Sequence, residues 1–185
     1  MNMVDRIKGI LVEPRKEWVS IAAEPATVAS LYTGWIMILA ALGPIALLVS
    51  MNSIQLAIAQ YVLSLIMTFV LALIVDALAP SFGGAKDFIT SLKLTAYSYT
   101  AAWLAGIFAV LGLLGGLLGL IATIYAFYTF FLGAPVLKKS SSEKALPFTL
   151  VVVLCVIVLR VLEGFVFSGM MQTPRLNPGM GLLMR

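Results

Sequence analysis

The sequence contains no histidine and only one cysteine, Cys155. Without these side chains, the chain cannot form a histidine-dependent catalytic triad, a Cys/His zinc site or an internal disulfide bond. Cys155 is flanked by valine and leucine, and burial in such apolar surroundings suppresses the reactive thiolate. We therefore interpret it as a packing residue, and we predict that the protein is not an enzyme and carries no metal or other cofactor.

Charged residues are also scarce: they make up 11% of the 185 residues, whereas 62% are hydrophobic. Soluble domains are about half apolar and about a quarter charged. The net charge of +4 is not gathered on one soluble face, so nucleic acid is not an expected partner. The composition therefore predicts an integral membrane protein whose main partner is the lipid bilayer.

Five apolar stretches are long enough to cross the roughly 30 Å hydrocarbon core as helices. They cover residues 31–49, 54–78, 94–113, 117–135 and 146–170. The third and fourth come from one run, which we divide near Gly115–Gly116 because paired glycines disfavour helix. Two pairs of glycines in this segment, Gly112/Gly116 and Gly115/Gly119, also fit the small-xxx-small spacing of a helix-packing face. We predict an all-α bundle of five transmembrane helices, with a leader at 1–30 and a tail at 171–185.

The basic residues divide unequally between the two sides of this bundle. One side carries nine of the twelve: Arg6, Lys8, Arg15, Lys16, Lys86, Lys93, Lys138, Lys139 and Lys144. The other side has only Arg175 and Arg185, both in the tail. Because basic loops stay in the cytoplasm, this asymmetry predicts a cytoplasmic N-terminus and an external C-terminus.

The leader is predicted to form short amphipathic helices in the membrane interface. Pro14 opens the second of these helices, in which Trp18 and Ile21 share one face. We expect Pro14, Arg15, Lys16 and Trp18 to anchor it, with the indole at headgroup depth and the basic residues toward anionic lipid. The alternative is a solvated leader that serves only to set topology.

Three longer stretches resemble one known family. They are "RIKGILVEPRKEWVSIAAE", residues 6–24; "DALAPSFGGAKDFITSLKLTAYSYT", residues 76–100; and "YAFYTFFLGAPVLKKSSSEKALPFTLVVVL", residues 125–154. In order and spacing, these stretches resemble the corresponding stretches of bacterial members of the Yip1 family of small polytopic membrane proteins. The matching features are an acid that ends a span, Asp76, and a Phe-Gly-Gly loop, Phe82, Gly83 and Gly84. They continue with a Tyr-Ser pair, Tyr97 and Ser98, and with a span that closes on Gly-x-Pro, Gly133 and Pro135.

The resemblance implies a fold and a location in the bacterial cytoplasmic (inner) membrane, but no settled activity. Many relatives have a proline soon after the Tyr-Ser pair, where this chain has Ala101-Ala102. Eukaryotic relatives carry a long cytosolic N-terminal region linked with Rab GTPases. Because the leader at 1–30 is short, Rab-type GTPase binding is not expected.

The last predicted span contains two charges, Arg160 and Glu163. An unpaired charge at this depth costs about 2.5–3.5 kcal/mol on insertion scales, so a partner is expected. Glu163 lies three residues further on the same helix face, and Gln60 and Ser64 enter the second span at comparable depth. The four residues are predicted to form an intramembrane polar network, either as a structural lock between two spans, which we favour, or as a polar site lining a water-filled cavity.

Asp76 lies near the cytoplasmic end of the second predicted span. We interpret it as an interfacial acid reached by water and paired with Lys86 or Lys93. The alternatives are a role in a proton or cation path and a carboxylate that caps backbone groups in the loop. The Phe82-Gly83-Gly84 sequence lacks the Lys-Ser/Thr and the strand of a phosphate-binding loop, so it is interpreted as a tight turn.

Two function classes fit these features. The first is a non-enzymatic protein that organises membrane partners or lipids, with further copies of itself or other membrane proteins as partners. The second is a small carrier or channel for an ion or solute that uses the polar site around Arg160 and Glu163.

Overall fold

The computed structural model describes residues 2–172, with side chains through residue 169. Two leader helices come first, α1 (Met3–Val12) and α2 (Pro14–Ala23). Five helices within the described residues are long and apolar enough to cross a membrane; we number them span 1 to span 5 in chain order. They are Val28–Met51, Ile54–Phe82, Phe88–Leu111, Leu113–Lys138 and Ser142–Gly169, the last continuing to Gln172. The predicted all-α, five-span fold is confirmed; residues 173–185 of the predicted tail lie outside the described residues.

Polar side chains at the helix starts explain where several of these elements begin. The Asn2 side chain accepts a hydrogen bond from the Asp5 backbone N–H, and Pro14 opens α2. Span 1 starts with a reciprocal capping box between Thr27 and Ser30. The Asn2 side chain and the Thr27–Ser30 capping box satisfy backbone N–H groups that have no partner within the helix.

The turn between spans 3 and 4 lies at Gly112, three residues before the predicted position at Gly115–Gly116. Gly112 has a positive φ of 59°, a conformation that suits glycine. Gly115 is helical, and a Cβ atom on it would lie only 1.9 Å from the Phe108 carbonyl oxygen. Gly115 therefore permits close packing of the two spans, while Gly116 has open space around it.

Span 3 is the central helix of the bundle and packs against spans 1, 2 and 4, while span 5 packs on spans 2 and 4. It buries an unusual share of polar side chains: Ser91, Lys93, Thr95, Ser98 and Thr100. This explains why span 3 begins at Phe88 rather than at the predicted residue 94. Its polar first turns are covered by protein, so apolar composition alone does not mark its beginning.

The two ends of the bundle differ. We call the end with the leader and the connections 83–87 and 139–141 the leader end, and the end with Asn52 and Gly112 the distal end. Helix α2 packs on span 4, and α1 packs on α2 and on the middle of span 3. The leader is thus part of the packed structure.

Candidate functional site

A buried charge pair joins three spans at the leader end. Lys138, the last residue of span 4, is fully buried, and its Nζ lies 3.2 Å from Asp76 Oδ1 on span 2. The ammonium also donates hydrogen bonds to Ser91 Oγ (2.6 Å), Thr90 Oγ1 (3.2 Å) and the Asp87 carbonyl (2.9 Å). Because a buried ammonium must place its three N–H donors on acceptors, these contacts fix the end of span 4 on the start of span 3.

The Asp76 carboxylate also binds residues at the start of span 3. Its Oδ1 accepts hydrogen bonds from the Asp87 backbone N–H at 2.8 Å and from Ser91 Oγ at 3.0 Å. The predicted pairing of Asp76 with Lys86 or Lys93 was wrong. Lys86 is exposed, and the Lys93 ammonium instead bonds to the leader. The true partner lies 62 residues away, so its proximity depends on how spans 2 and 4 pack together.

The Phe82-Gly83-Gly84 turn lies directly beside this pair. Gly83 has a positive φ of 74°, and Gly84 donates a backbone hydrogen bond to the Ala79 carbonyl. A Cβ atom on Gly84 would lie 3.1 Å from that oxygen and 3.2 Å from the Lys138 carbonyl. The next residue, Ala85, donates its N–H to the same Lys138 carbonyl at 2.7 Å. The turn therefore brings the chain close enough to bind the backbone at the end of span 4.

A second polar cluster attaches the leader to span 3. The Lys93 ammonium donates to the Ile21 carbonyl at 2.9 Å and to the Glu24 carbonyl. These carbonyls lie at the C-terminal end of α2, where a cation is favourable. Arg6 of α1 pairs with Glu17 at 2.7 Å and with Glu24. The polar contacts thus link α1, α2 and span 3.

Trp18 is the apolar part of the same attachment. Its side chain is 1% exposed, and its indole N–H donates to the Thr129 carbonyl of span 4 at 2.9 Å. A Cβ atom on Gly133 would lie 2.5 Å from the indole, so only glycine leaves room for it. The Trp18 indole therefore lies in a fitted apolar slot with a hydrogen-bond acceptor inside the protein and does not face lipid. Its position at headgroup depth stays a prediction.

The other predicted anchor residues of the leader behave differently from Trp18. Pro14 occupies the first position of α2, while Arg15 and Lys16 are exposed. The exposed side of α2 therefore carries Arg15 and Lys16 beside Val19, while Trp18 and Ile21 are buried within the protein.

Arg160 and Glu163 form a third polar site, on the outer side of span 5. Arg160 Nη1 lies 2.8 Å from Glu163 Oε2, and the guanidinium carbon lies 5.9 Å from the centre of the Tyr99 ring. The Arg160 side chain is 57% exposed, whereas that of Glu163 is 15% exposed. Ser64 lines one cavity beside this pair, and Gln60 lines a second. The four predicted network residues thus border adjoining spaces, although the Ser64 hydroxyl donates to the Tyr61 carbonyl rather than to the pair.

The family model for the Yip1 domain matches residues 8–162, which is most of the chain. The chain belongs to the Yip1 family. No curated protein and no solved structure matches it. Together with the five apolar helices, the match identifies this Yip1 protein as a polytopic membrane protein.

The family-like motif residues of this Yip1 protein fall into the two sites at the leader end. Asp76, Gly83 and Gly84 belong to the charge pair and its turn, and the Phe82 ring stacks on Phe148 of span 5 at 5.2 Å. The Tyr97 ring lies 4.8 Å from that of Trp35 and beneath the Arg6 guanidinium. Ser98 is buried and its carbonyl accepts a hydrogen bond from Thr129. Gly133 receives Trp18, and Pro135 lies three residues before span 4 ends.

Sequence reasoning missed most of the residues that hold these sites together. Lys138 and Arg6 counted only toward topology, Lys93 was offered as a partner of Asp76, and Glu17 and Glu24 were given no role. One signal was available for Lys138 and Lys93. Each lies within or directly beside an apolar segment, where an unpaired lysine is costly.

Proposed function

We propose that this Yip1-family protein is non-enzymatic, resides in the bacterial cytoplasmic membrane and organises membrane partners or lipids. Its N-terminus would be cytoplasmic and its C-terminus external, as the distribution of lysine and arginine supports. The docked leader would then present the exposed charges of α2, including Arg15 and Lys16, to cytoplasmic partners or headgroups.

One observation carries this proposal: three basic side chains of the described spans, Lys93, Lys138 and Arg160, are each bound to a neighbouring protein group. Lys138 is bound to Asp76, Lys93 to the leader backbone, and Arg160 to Glu163. Beside Arg160 and Glu163 lie a cavity of about 30 Å³ and a groove of about 300 Å³ with mainly apolar walls. A transported solute would need a continuous polar passage and charges free to release it.

A carrier or channel is the second candidate, and one feature favours it. The small cavity beside Arg160 is lined by the hydroxyl-bearing residues Ser64, Thr68, Thr95 and Tyr99. A hydroxyl-lined space beside a carboxylate could hold a small cation or a proton-carrying water. A carrier would bind its solute at this site in one conformation and release it in a second conformation.

Two measurements separate the candidates, a flux assay on the purified protein in liposomes and a crosslinking experiment in native membranes. We expect no protein-dependent flux of protons, sodium or potassium. We also expect a photo-crosslinking amino acid at position 16, on the exposed face of α2, to give discrete adducts in native membranes. The matched control is the same amino acid at Ile58, which is 56% exposed on the apolar surface of span 2. Flux above that of empty liposomes, with no adducts at position 16, would favour the carrier.

Reporter fusions test the orientation separately. Fusions after residues 52 and 112 should be external, and fusions after residues 86 and 141 should be cytoplasmic. An external reading after residue 86 would reverse the proposed orientation, and a cytoplasmic reading after residue 112 would contradict the five-span arrangement.

A further inference from the structure

The two leader helices form a hairpin that lies alongside spans 3 and 4. At one end of this hairpin, Lys93 of span 3 binds the carbonyls at the end of α2. At the other end, the Tyr125 hydroxyl donates to the Ile10 and Leu11 carbonyls, at 3.0 Å and 2.9 Å. Tyr125 lies 12 residues after the start of span 4 and 13 before its end. The bend of the hairpin, residues 11–16, which we call the elbow, therefore lies at the middle of span 4.

The elbow exposes both charged and apolar side chains. Glu13, Arg15 and Lys16 are exposed, and the Lys16 ammonium lies 2.6 Å from the Glu13 carboxylate. Leu11 and Val12 are exposed beside them, at 39% and 76%. Charged and apolar side chains on one short surface segment are typical of a segment at the level of the lipid headgroups.

Spans 2 and 4 run between the same two levels of the bundle. At the leader end, Asp76 of span 2 is bound to Lys138 of span 4. Near the distal end, a Cβ atom on Gly106 of span 3 would lie 3.1 Å from the Gly43 Cα of span 1. From this crossing, span 1 continues for eight residues and span 3 for five residues of 3-10 helix, which is about 12 Å and about 10 Å. The two distal turns therefore lie nearly level.

The height of the exposed apolar surface nevertheless differs between the two sides. On span 2 it is continuous along Ile54, Ile58, Val62, Ile66, Phe69 and Leu73. This stretch is about 28 Å long, close to the roughly 30 Å of a hydrocarbon core. On the leader side, the elbow lies only about 18 Å from the start of span 4. A core of full thickness would therefore place the charges of the elbow about 12 Å inside the hydrocarbon.

We infer that the elbow binds lipid headgroups at the middle of span 4, so that the bilayer is thinned along the leader and has full thickness along span 2. Charged side chains inside hydrocarbon are costly, whereas the cost of thinning a bilayer is modest for each ångström. The long Arg15 and Lys16 side chains extend toward lipid phosphates, which lie in the leaflet at the leader end. The protein therefore imposes a step on that leaflet.

The inference rests on the proposed function and deepens it, because it states how the protein would organise lipids. It is tested on the full chain with nitroxide labels in liposomes of phosphatidylethanolamine and phosphatidylglycerol. The labels are placed by Ile124→Cys or Ile66→Cys, with Cys155→Ser to remove the native thiol. These positions are 61% and 52% exposed, and they lie 11 and 12 residues from the distal ends of spans 4 and 2. Both labels are therefore at the middle of a span and face outward.

Power saturation with oxygen and with a water-soluble nickel chelate measures the depth of each label. We expect the label at Ile66 to lie about 12 Å below the nearer headgroups and the label at Ile124 to lie within about 5 Å of them. Equal depths would overturn the inference, because the leaflet would then have no step. Exclusion of both reagents at Ile124 would also overturn it, because protein and not lipid would cover this side.

Matched variants locate the cause of the step. Combined replacement of Glu13, Arg15 and Lys16 by leucine should move the Ile124 label to the depth of the Ile66 label. The control replaces another exposed acid and two exposed lysines at the leader end by leucine: Lys86, Lys139 and Glu143. It should leave the Ile124 label near the headgroups, and an Ile124 label that responds equally to both sets would overturn the assignment to the elbow. The depth measurement involves neither flux nor a protein partner, so its failure is distinguishable from failure of the proposed function.

Discussion

Two ion pairs lie within the described parts of the spans, and they differ in the burial of the basic residue and in the hydrogen bonds around them. In the Asp76–Lys138 pair, the lysine side chain is fully buried and the aspartate side chain is 11% exposed, and hydrogen bonds from several residues complete the shell. In the Arg160–Glu163 pair, the arginine side chain is 57% exposed, and one hydrogen bond joins the two residues. The first pair links three spans, whereas both members of the second lie on span 5.

This difference separates a structural role from a binding role. A buried pair with its hydrogen bonds satisfied has no capacity left for a ligand, and removal of one partner leaves a charge stranded in protein. A pair at the surface of the bundle contributes less to stability but keeps donors and acceptors available. The structural lock that the sequence suggested for Arg160 and Glu163 is therefore better matched by Asp76 and Lys138.

The largest expected effect comes from breaking the buried pair. Lys138→Met should lower the free energy of unfolding by about 3–5 kcal/mol, because it leaves the Asp76 carboxylate buried without a countercharge. Asp76→Asn should act in the same direction, and the double variant should recover much of the loss. Unfolding in mixed detergent micelles measures these changes.

Lys86→Met is the control for this experiment, because Lys86 is exposed and lies in the adjoining connection. It should change the free energy of unfolding by less than about 0.5 kcal/mol. If Lys138→Met were as stable as Lys86→Met, the pair would not lock the three spans.

An effect of intermediate size is expected where the leader meets span 4. Gly133→Val would place a side chain where the Trp18 indole lies, since even a Cβ atom there is 2.5 Å from the ring. We expect the leader to detach and become sensitive to protease, with a loss of about 2–3 kcal/mol, in the upper part of the range seen when a well-packed core is overfilled. Gly34→Ala is the control, because nothing lies within 4 Å of that position. A protease-resistant leader in Gly133→Val would contradict the docking of Trp18.

The sequence predicted the spans well and the buried contacts poorly, for a physical reason. Span number follows from apolar length, and the Arg160–Glu163 contact follows from an i,i+3 spacing, so both can be inferred from local sequence. The contact of Trp18 with Thr129 joins residues 111 positions apart. It depends on the shape of span 4 at Gly133, and no local pattern in the leader indicates that shape.

The turn position illustrates the same limit on a smaller scale. The glycine-rich segment correctly indicated a break in the long apolar run, but several glycines in it could have supplied the turn. Gly112 does so because it has the positive φ, while Gly115 faces the Phe108 carbonyl. The choice between them depends on how spans 3 and 4 approach each other, which the glycine pattern does not specify.

The smallest effect on stability is expected at the exposed pair. Glu163→Leu should lower the free energy of unfolding by about 1–2 kcal/mol, less than Lys138→Met, because the long, 57% exposed Arg160 side chain that is left can reorient toward the interface. The double variant, Arg160→Leu with Glu163→Leu, should be near the wild type. Unfolding under the same detergent conditions as for Lys138→Met makes the two pairs directly comparable.

The loss in the free energy of unfolding for Glu163→Leu, relative to that for Lys138→Met, shows whether the second pair is also a structural lock. If Glu163→Leu destabilised the protein as strongly as Lys138→Met, Arg160 and Glu163 would be a second structural lock, and the adjoining cavity would be a packing defect. If the loss is small, Arg160 and Glu163 contribute little to the fold, and the lock role belongs to Asp76 and Lys138 alone. Lys16 and Glu13 lie 2.6 Å apart on the exposed face of the leader and give the reference for a pair without a structural role. Lys16→Ala should change the free energy of unfolding by no more than about 0.5 kcal/mol.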